Sequence, residues 1–183
     1  DREAASRAGT RSRSREEDQV NRGRMICGIV AHASIHTVNG EKFNNVNVPS
    51  RQHLADFLRS QGFTGTHLGC EQGACGACTI EMDGKAVRSC LVLASQANGS
   101  DLKTVEGFDD KMMEQVKQSF LKHNAFQCGF CSPGMLMTTK EILLSKKKLT
   151  RDEIRSEISG NYCRCTGYQS IVDAIEECIN EVN

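Results

Sequence analysis

The feature that most constrains this chain is the spacing of four cysteines in its first half. Cys70, Cys75 and Cys78 stand in the run GCEQGACGACT, and Cys90 follows across a short predicted hairpin. Three glycines are interleaved with the first three cysteines, and a residue without a Cβ lets the backbone fold closely around a ligand. Four thiolates with inward-facing N–H groups predict a compact anionic metal group, whereas the alternative is a set of structural thiols on a glycine-rich turn.

The spacing C-x4-C-x2-C with a more distant fourth cysteine is typical of a 2Fe–2S cluster. A second set of cysteines lies in the other half of the chain, in the runs QCGFCSPG and NYCRCTGY. Each pair falls at a junction between predicted helices, where free N–H groups and partial positive charge favour thiolates. Spacing favours a second iron–sulfur cluster here, and a zinc ion is the alternative. The cysteines of this set are Cys128, Cys131, Cys163 and Cys165.

Composition excludes several classes of protein. The chain has 183 residues, ten cysteines and a formal net charge of zero, and balanced charge argues against general nucleic-acid binding. No apolar run approaches the ~18 residues of a membrane span, and no secretory signal begins the sequence. Because the cysteines cluster at C-x2-C and C-x-C spacings, metal binding in the reducing cytoplasm is favoured over a secreted disulfide scaffold.

The N-terminal region divides into an arm and a first domain. Residues 1–24 lack apolar periodicity, which predicts a disordered arm with the natural start at Met25, or alternatively a segment that folds on a partner. Residues 25–107 contain two predicted hairpins, one turning at Asn39-Gly40, and a helix at about 51–61. We therefore predict a β-grasp, ferredoxin-like first domain. Further expected features are Ser50 as N-cap, Gly62 at the helix end, the turn Asp83-Gly84, and strands at 86–93 and 102–105.

From residue 108 to residue 183 the apolar residues follow a helical period. Four helices are predicted, with Pro133 near the start of the second and a capping box of Thr150 and Glu153 opening the third. The fold class predicted for the whole chain is therefore α+β, with a β-grasp domain followed by a four-helix-bundle domain.

In this order, the three cysteine runs resemble the small iron–sulfur subunit of the molybdenum hydroxylases, the xanthine oxidase/xanthine dehydrogenase family. The pattern is similar to the separate small subunit of three-subunit members such as aerobic carbon monoxide dehydrogenase, and it covers about residues 34–182. The resemblance implies two 2Fe–2S clusters, one in each domain. The implied ligands are Cys70, Cys75, Cys78 and Cys90 for the first cluster, and Cys128, Cys131, Cys163 and Cys165 for the second.

The resemblance also implies a function and partners. The chain would pass electrons from the molybdopterin cofactor of a large subunit, through its two clusters, to FAD in a medium subunit. The complex would be a cytoplasmic dimer of heterotrimers, and this chain would hold no catalytic residue of its own. Gln127 and Cys165 would form hydrogen bonds to the pterin. The alternatives are a zinc-stabilised interaction module without a redox role and a free-standing ferredoxin.

Three other residues lie near these motifs or share their chemistry. Cys178 falls on the apolar stripe of the last predicted helix, so we expect a buried small hydrophobe, whereas Cys27 has no partner motif. His67 precedes the first cysteine loop and is interpreted as a surface loop histidine, with a hydrogen-bonding role as the alternative. No histidine is paired with a cysteine in the manner of a Rieske site.

Overall fold

The computed structural model describes residues 30–182. The arm predicted over residues 1–24, the start at Met25 and Cys27 lie outside the described residues. The strands are β1 (Val30–Val38), β2 (Glu41–Pro49), β3 (Thr79–Met82), β4 (Lys85–Arg88) and β5 (Asp101–Lys103). The α-helices are α1 (Leu54–Ser60), α2 (Lys111–Lys122), α3 (Ser132–Leu144), α4 (Arg151–Glu157) and α5 (Gln169–Val182).

The strands form one mixed sheet in the order β2-β1-β5-β3-β4. Two antiparallel hairpins lie on either side of β5, which runs parallel to β1 and antiparallel to β3. Both predicted hairpin turns, Asn39-Gly40 and Asp83-Gly84, have positive φ at each residue, as a type I′ turn requires. The mixed α+β fold class is thereby confirmed.

Helix α1 begins later than the sequence predicts. Ser50 is not its N-cap, since the helix starts at Leu54 and His53 is the capping residue, without a side-chain capping bond. His53 instead pairs with Leu93 in an isolated β-bridge, which keeps the chain extended beyond Ser50. The other end of the helix is as predicted, because Gly62 has a φ of +99° and follows the C-cap.

The strand predicted over residues 86–93 ends early, at Arg88. The next three residues form a 3-10 turn rather than a continuation of β4. The N–H and the hydroxyl of Ser89 both donate to the carbonyl of Cys78, at 3.2 and 2.7 Å. The N–H bond continues the register of the β3–β4 pair by one position, after which the chain turns and places Cys90 within the turn.

Four helices follow the sheet, at the positions that the helical period predicts. The predicted capping box is formed, because the Glu153 carboxylate accepts from the N–H of Thr150 at 2.7 Å and the Thr150 hydroxyl accepts from the N–H of Glu153 at 3.4 Å. Pro133 lies in the first turn of α3, as expected. The third of these helices, α4, has seven residues and continues into a 3-10 turn, Ile158–Gly160.

Each half of the molecule has its own apolar core. In the sheet half, Leu54 and Phe57 of α1 are buried against the sheet residues Ile35 and Ile80. The core of the helical half includes Met113, Val116, Phe120, Met135, Ile154, Ile171, Val172 and Ile175. Cys178 belongs to this second core and is 2% exposed, which confirms it as a small buried hydrophobe. Within residues 30–182, no helix has the length and hydropathy of a membrane span.

Candidate iron–sulfur sites

The loop between α1 and β3 brings the first set of predicted ligands together. The N–H of Cys75 donates to Sγ of Cys70 at 3.3 Å. Cys78, immediately before β3, and Cys90, in the turn after β4, are each 2% exposed. The charges of Cys70 and Cys78 act on both Cys75 and Cys90, so the four thiols form one electrostatically coupled group.

The thiols of this first site differ in pKa because their surroundings differ. Backbone N–H groups of Gln72 and Cys75 lower the pKa of Cys70 to about 7. Burial, followed by the neighbouring Cys78 thiol, raises the pKa of Cys90 to about 11. A thiol must lose its proton to bind a metal, so metal binding at Cys90 would release a proton that burial otherwise retains.

Two glycines let the loop close around the thiols. A Cβ at Gly69 would lie 3.1 Å from Sγ of Cys75, and a Cβ at Gly73 would lie 2.5 Å from Cδ1 of Leu91. Gly73 also has a φ of +80°, a conformation that other L-residues rarely adopt. The backbone therefore approaches the sulfurs more closely than a loop of larger residues allows.

The loops before α3 and α5 bring the second set together. Cys131 is the N-cap residue of α3. Burial, followed by the neighbouring Cys163 thiol, raises the pKa of Cys131 to about 12. The N–H of Phe130, and then the thiol of Cys165, lower the pKa of Cys128. The two cysteine runs are thus adjacent in space, although α3 and α4 separate them along the chain.

Cys163 is held by a local hydrogen-bond network. The Thr166 hydroxyl donates to Sγ of Cys163 at 3.1 Å, and the N–H of Cys163 donates to the hydroxyl of Tyr168 at 3.0 Å. Burial raises the pKa of the Cys163 thiol, but the hydrogen bonds from Thr166 and the N–H of Cys165 outweigh burial and lower the pKa overall. This environment favours a thiolate at Cys163.

Part of the second site faces outward. Cys128 and Cys165 are exposed, and so is Gln127 immediately before Cys128. Among the hydrogen bonds of residues 30–182, none uses the Gln127 side chain. Its amide can therefore donate and accept without breaking a contact within the described chain.

The donor sets fit iron–sulfur clusters. In the part of the chain that the structure describes, no three His, Cys, Asp or Glu side chains converge on a single ion. A 2Fe–2S cluster divides four thiolates between two irons, so it does not require three ligands around one point. Each site offers sulfur ligands alone, with backbone N–H groups directed at the sulfurs, which suits an anionic cluster.

The two ligand loops touch along a seam formed by Gly76, Arg88, Gly134, Gly160 and Asn161. A Cβ at Gly76 would lie 2.4 Å from the carbonyl oxygen of Gly160, and a Cβ at Gly134 would lie 2.0 Å from the carbonyl oxygen of Gly76. Asn161 is 1% exposed and accepts a hydrogen bond from Arg88 at 3.3 Å. Sequence reasoning missed this seam, because no local pattern pairs residues so far apart along the chain.

Two further contacts join the loops. The N–H of Tyr162 donates to the carbonyl of Cys75 at 2.8 Å. His67 lies at the same junction, with Nδ1 2.8 Å from the carbonyl oxygen of Phe130 and its ring stacked on the Phe130 ring at 4.9 Å between centroids. The structure therefore supports the hydrogen-bonding alternative for His67, with the proton on Nδ1.

Two protein-family models match the chain, one in each half. Residues 36–106 match a 2Fe-2S iron-sulfur cluster binding domain. Residues 104–176 match a 2Fe-2S binding domain.

Curated relatives match over most of their length. The chain is 48% identical over 146 residues to the nicotine 6-hydroxylase small subunit of Paenarthrobacter nicotinovorans, covering 79% of this chain and 88% of that protein. It is 44% identical over 145 residues to the xanthine dehydrogenase iron-sulfur-binding subunit of Escherichia coli O157:H7, covering 78% of this chain and 91% of that protein.

Solved structures share the fold. A chain of quinoline 2-oxidoreductase from Pseudomonas putida 86 superposes with a TM-score of 0.76 at 48% identity, over 83% of this chain and 94% of that chain. Aldehyde oxidoreductase from Desulfovibrio gigas superposes with a TM-score of 0.72 at 37% identity, over 85% of this chain but 17% of that longer chain. With both halves matched by 2Fe-2S models and nearly full-length relatives at 44% and 48% identity, the chain belongs to the small iron–sulfur subunits of the xanthine dehydrogenase family of molybdenum hydroxylases.

Proposed function

We propose that this chain holds two 2Fe–2S clusters and conducts electrons from a molybdopterin centre to FAD, both held by partner subunits. Family membership supports an electron-transfer subunit rather than a catalytic one. The observation that carries the proposal is that two separate sets of thiols are brought together, the first by the loop before β3 with the turn after β4, and the second by the loops before α3 and α5. The proposed ligands are Cys70, Cys75, Cys78 and Cys90 for one cluster, and Cys128, Cys131, Cys163 and Cys165 for the other.

The residues of the chain do three things at these sites. Each bound cluster would supply one-electron redox chemistry. The eight thiolates hold the iron, while N–H groups and the Thr166 hydroxyl stabilise the negative charge on sulfur. Burial of Cys78 and Cys90 keeps water away from these two thiols of the first site. The seam fixes the distance between the two sites, on which electron transfer depends.

The outward face of the second site is the proposed contact with the molybdopterin subunit. Gln127 and Cys165 are both exposed there, and we assign them hydrogen bonds to the pterin. Phe130 and Tyr162, each within one of the two cysteine runs, are 49% and 59% exposed. Large exposed aromatic side chains beside a polar amide are typical of a surface that a partner protein covers.

The remaining organisation is proposed from the same family resemblance. The first domain would occupy residues 25–107 and the second, a four-helix bundle, residues 108–183. Relatives are named as subunits of multi-subunit dehydrogenases, which supports a large molybdopterin subunit and a medium FAD subunit, assembled as a dimer of heterotrimers. We also place the complex in the cytoplasm, where cysteines remain reduced and can bind iron.

Metal analysis with electron paramagnetic resonance of the reduced protein tests this proposal. We expect about four iron and four sulfide per chain, charge-transfer absorption in the visible range, and two distinguishable cluster signals. Cys75→Ser should remove one signal and Cys131→Ser the other, because each substitution removes one ligand of one set. Cys178→Ala is the matched control, since this cysteine lies in the apolar core, and it should retain both signals.

Two outcomes would overturn the proposal. Colourless protein containing zinc would indicate the zinc-stabilised interaction module instead. Two clusters in a chain that does not associate with molybdopterin or FAD subunits in the native complex would indicate a free-standing ferredoxin.

A further inference from the structure

Arg88 occupies an unusual place between the two candidate sites. It ends β4, two residues before Cys90, and its side chain crosses the seam to the helical half. One guanidinium nitrogen donates to the hydroxyl of Thr79, the residue after Cys78. The other donates to the carbonyl of Gly160 at 2.9 Å and to Oδ1 of Asn161 at 3.3 Å.

The partners of Arg88 are themselves fixed. Asn161 is 1% exposed and also accepts from the hydroxyl of Thr138 of α3, at 3.0 Å. The Thr79 hydroxyl donates to the carbonyl of Gly76 at 2.6 Å. One planar side chain thus connects a residue beside Cys78, in the first site, to residues just before Cys163, in the second.

The charge of Arg88 is not neutralised locally. All its hydrogen-bond acceptors are neutral oxygens, and among the described residues no carboxylate forms an ion pair with it. Lys140, which also crosses between the halves, is paired with Glu81 at 2.5 Å. A half-buried guanidinium without a counter-ion suits a place between two anionic groups, because the positive charge and the negative charges then stabilise one another.

We propose that Arg88 is a positioning residue that ties the two cluster loops together and whose positive charge favours the reduced state of the clusters. This inference rests on the proposed function, since it requires that both sets of thiols hold a cluster. Adding an electron to a thiolate-ligated cluster increases its negative charge, and a nearby cation stabilises the more negative state. The effect is larger in the protein interior than in water, because the effective dielectric constant is lower there.

Redox titration of the cluster-loaded protein, followed by electron paramagnetic resonance, tests the charge. Arg88→Gln keeps hydrogen-bond donors but removes the charge. We expect the equilibrium constant for reduction of at least one cluster to fall about tenfold, which lowers its reduction potential by about 59 mV for a one-electron couple. Lys85→Gln is the matched control, because Lys85 is exposed at the far end of the same strand and its loss changes the net charge equally. The control should leave both potentials unchanged.

Arg88→Lys tests the positioning role separately. Lysine keeps the charge but cannot donate in the planar fork that reaches Thr79 and Asn161 at once. We expect near-native potentials together with an altered dipolar splitting between the two reduced clusters, because this splitting depends on their separation. Thr138→Val removes a neutral bond of the same network and should leave the potentials unchanged.

The outcomes separate this inference from the proposed function. Wild-type protein without two clusters overturns the proposed function, and this inference with it. If the wild-type protein holds two clusters but Arg88→Gln and Lys85→Gln have equal potentials, only the role of the Arg88 charge is overturned. Unchanged dipolar splitting in Arg88→Lys overturns the positioning role. If Arg88→Gln does not retain its clusters, the role of the charge is tested with Arg88→Lys, which keeps the charge and should keep near-native potentials. A potential lowered in Arg88→Lys by about 59 mV would overturn the role of the charge.

Discussion

The two candidate sites are built in different ways. The first uses a single stretch, in which three cysteines lie on one loop and Cys90 follows one hairpin later. The second joins two runs that are separated by α3 and α4. A site contained in a continuous stretch can form from local turns, whereas a site made of separate segments requires the packing of the elements between them. The second site should therefore be more closely linked to the stability of its half.

Exposure separates the sites further. Cys78 and Cys90 of the first site are each 2% exposed, while Cys128 and Cys165 of the second are exposed. The first site is enclosed mainly by its own loop and by Leu91 over Gly73. The second is left open on one side, and this is the side on which we propose that a partner subunit binds.

The largest expected difference between the sites concerns stability after loss of a ligand. Cys131→Ser should lower the free energy of unfolding of the loaded protein by roughly 3–5 kcal/mol, since a metal group closes a long loop there much as a cross-link does. Cys75→Ser should cost about 0.5 kcal/mol less, because the loop closed at the first site is a little more than half as long. Thermal unfolding followed by circular dichroism measures both. If both variants lose the same free energy of unfolding, the second site does not depend more strongly than the first on the packing of separate segments.

The second prediction concerns the seam. Gly76→Ala should destabilise the protein by about 2–5 kcal/mol, because its Cβ would clash with the Gly160 carbonyl oxygen at 2.4 Å in addition to the cost of its φ of +73°. Gly84→Ala is the control, with a φ of +79° and no atom within 4 Å of the added Cβ. It should cost only about 1–2 kcal/mol. Urea unfolding of the two variants compares them, and equal costs would show that the seam is not closely packed.

A smaller effect is expected at the open face of the second site. Gln127→Ala should retain both clusters and slow their reduction by substrate severalfold, since one neutral hydrogen bond contributes only ~1 kcal/mol. Stopped-flow absorption of the native complex, with molybdenum content measured in parallel, gives the rate. The matched amide control is Gln118→Ala on α2, whose side chain bonds to Glu114 at 2.8 Å. Unchanged rates at full molybdenum content would leave Gln127 without a cofactor role.

The smallest effect lies far from both sites, at Glu177 of α5. Hydrogen bonds from Lys122, Ser119 and His123 lower the pKa of this carboxyl to about 2, from an ordinary value of 4.5. Because the folded-state pKa is the lower one, the contacts stabilise the protein fully above about pH 4.5 and lose this contribution as the pH falls towards 2.

Glu177→Gln should therefore lower the melting temperature slightly at pH 7, and this decrease should become smaller as the pH falls towards 2, where much of the wild-type carboxyl is protonated. Melting curves at pH 7, 4 and 2 compare the variant with the wild-type protein. An equal decrease at all three pH values would show that the charge of Glu177 is not the cause.

Much of the fold was predictable because its determinants are local. The turns at Asn39-Gly40 and Asp83-Gly84 and the capping box at Thr150 each depend on residues within a few positions. The predictions that failed involve tertiary contacts: the bridge of His53 to Leu93 displaces the cap expected at Ser50. The central, parallel position of β5 in the sheet is likewise set by packing across the chain and has no local signal.

The same distinction holds for the sites. Cysteine spacing identified both sets of thiols, since the donors recur at short intervals. It gave no indication of Arg88 or Asn161, whose residue types are common and which lie more than seventy positions apart along the chain. The role of His67 was underestimated for the same reason, because its partner Phe130 belongs to the other half.

The hydrogen bond from the N–H of Tyr162 to the carbonyl of Cys75 also has a consequence for biosynthesis. Cys75 leaves the ribosome long before Tyr162 does, and N-terminal domains generally fold first during synthesis. The first ligand loop must therefore take its shape from its own glycines and N–H groups while that carbonyl still lacks its donor. We expect the sheet half to be competent for metal insertion on the nascent chain, and the second site to close only after synthesis has passed Cys165.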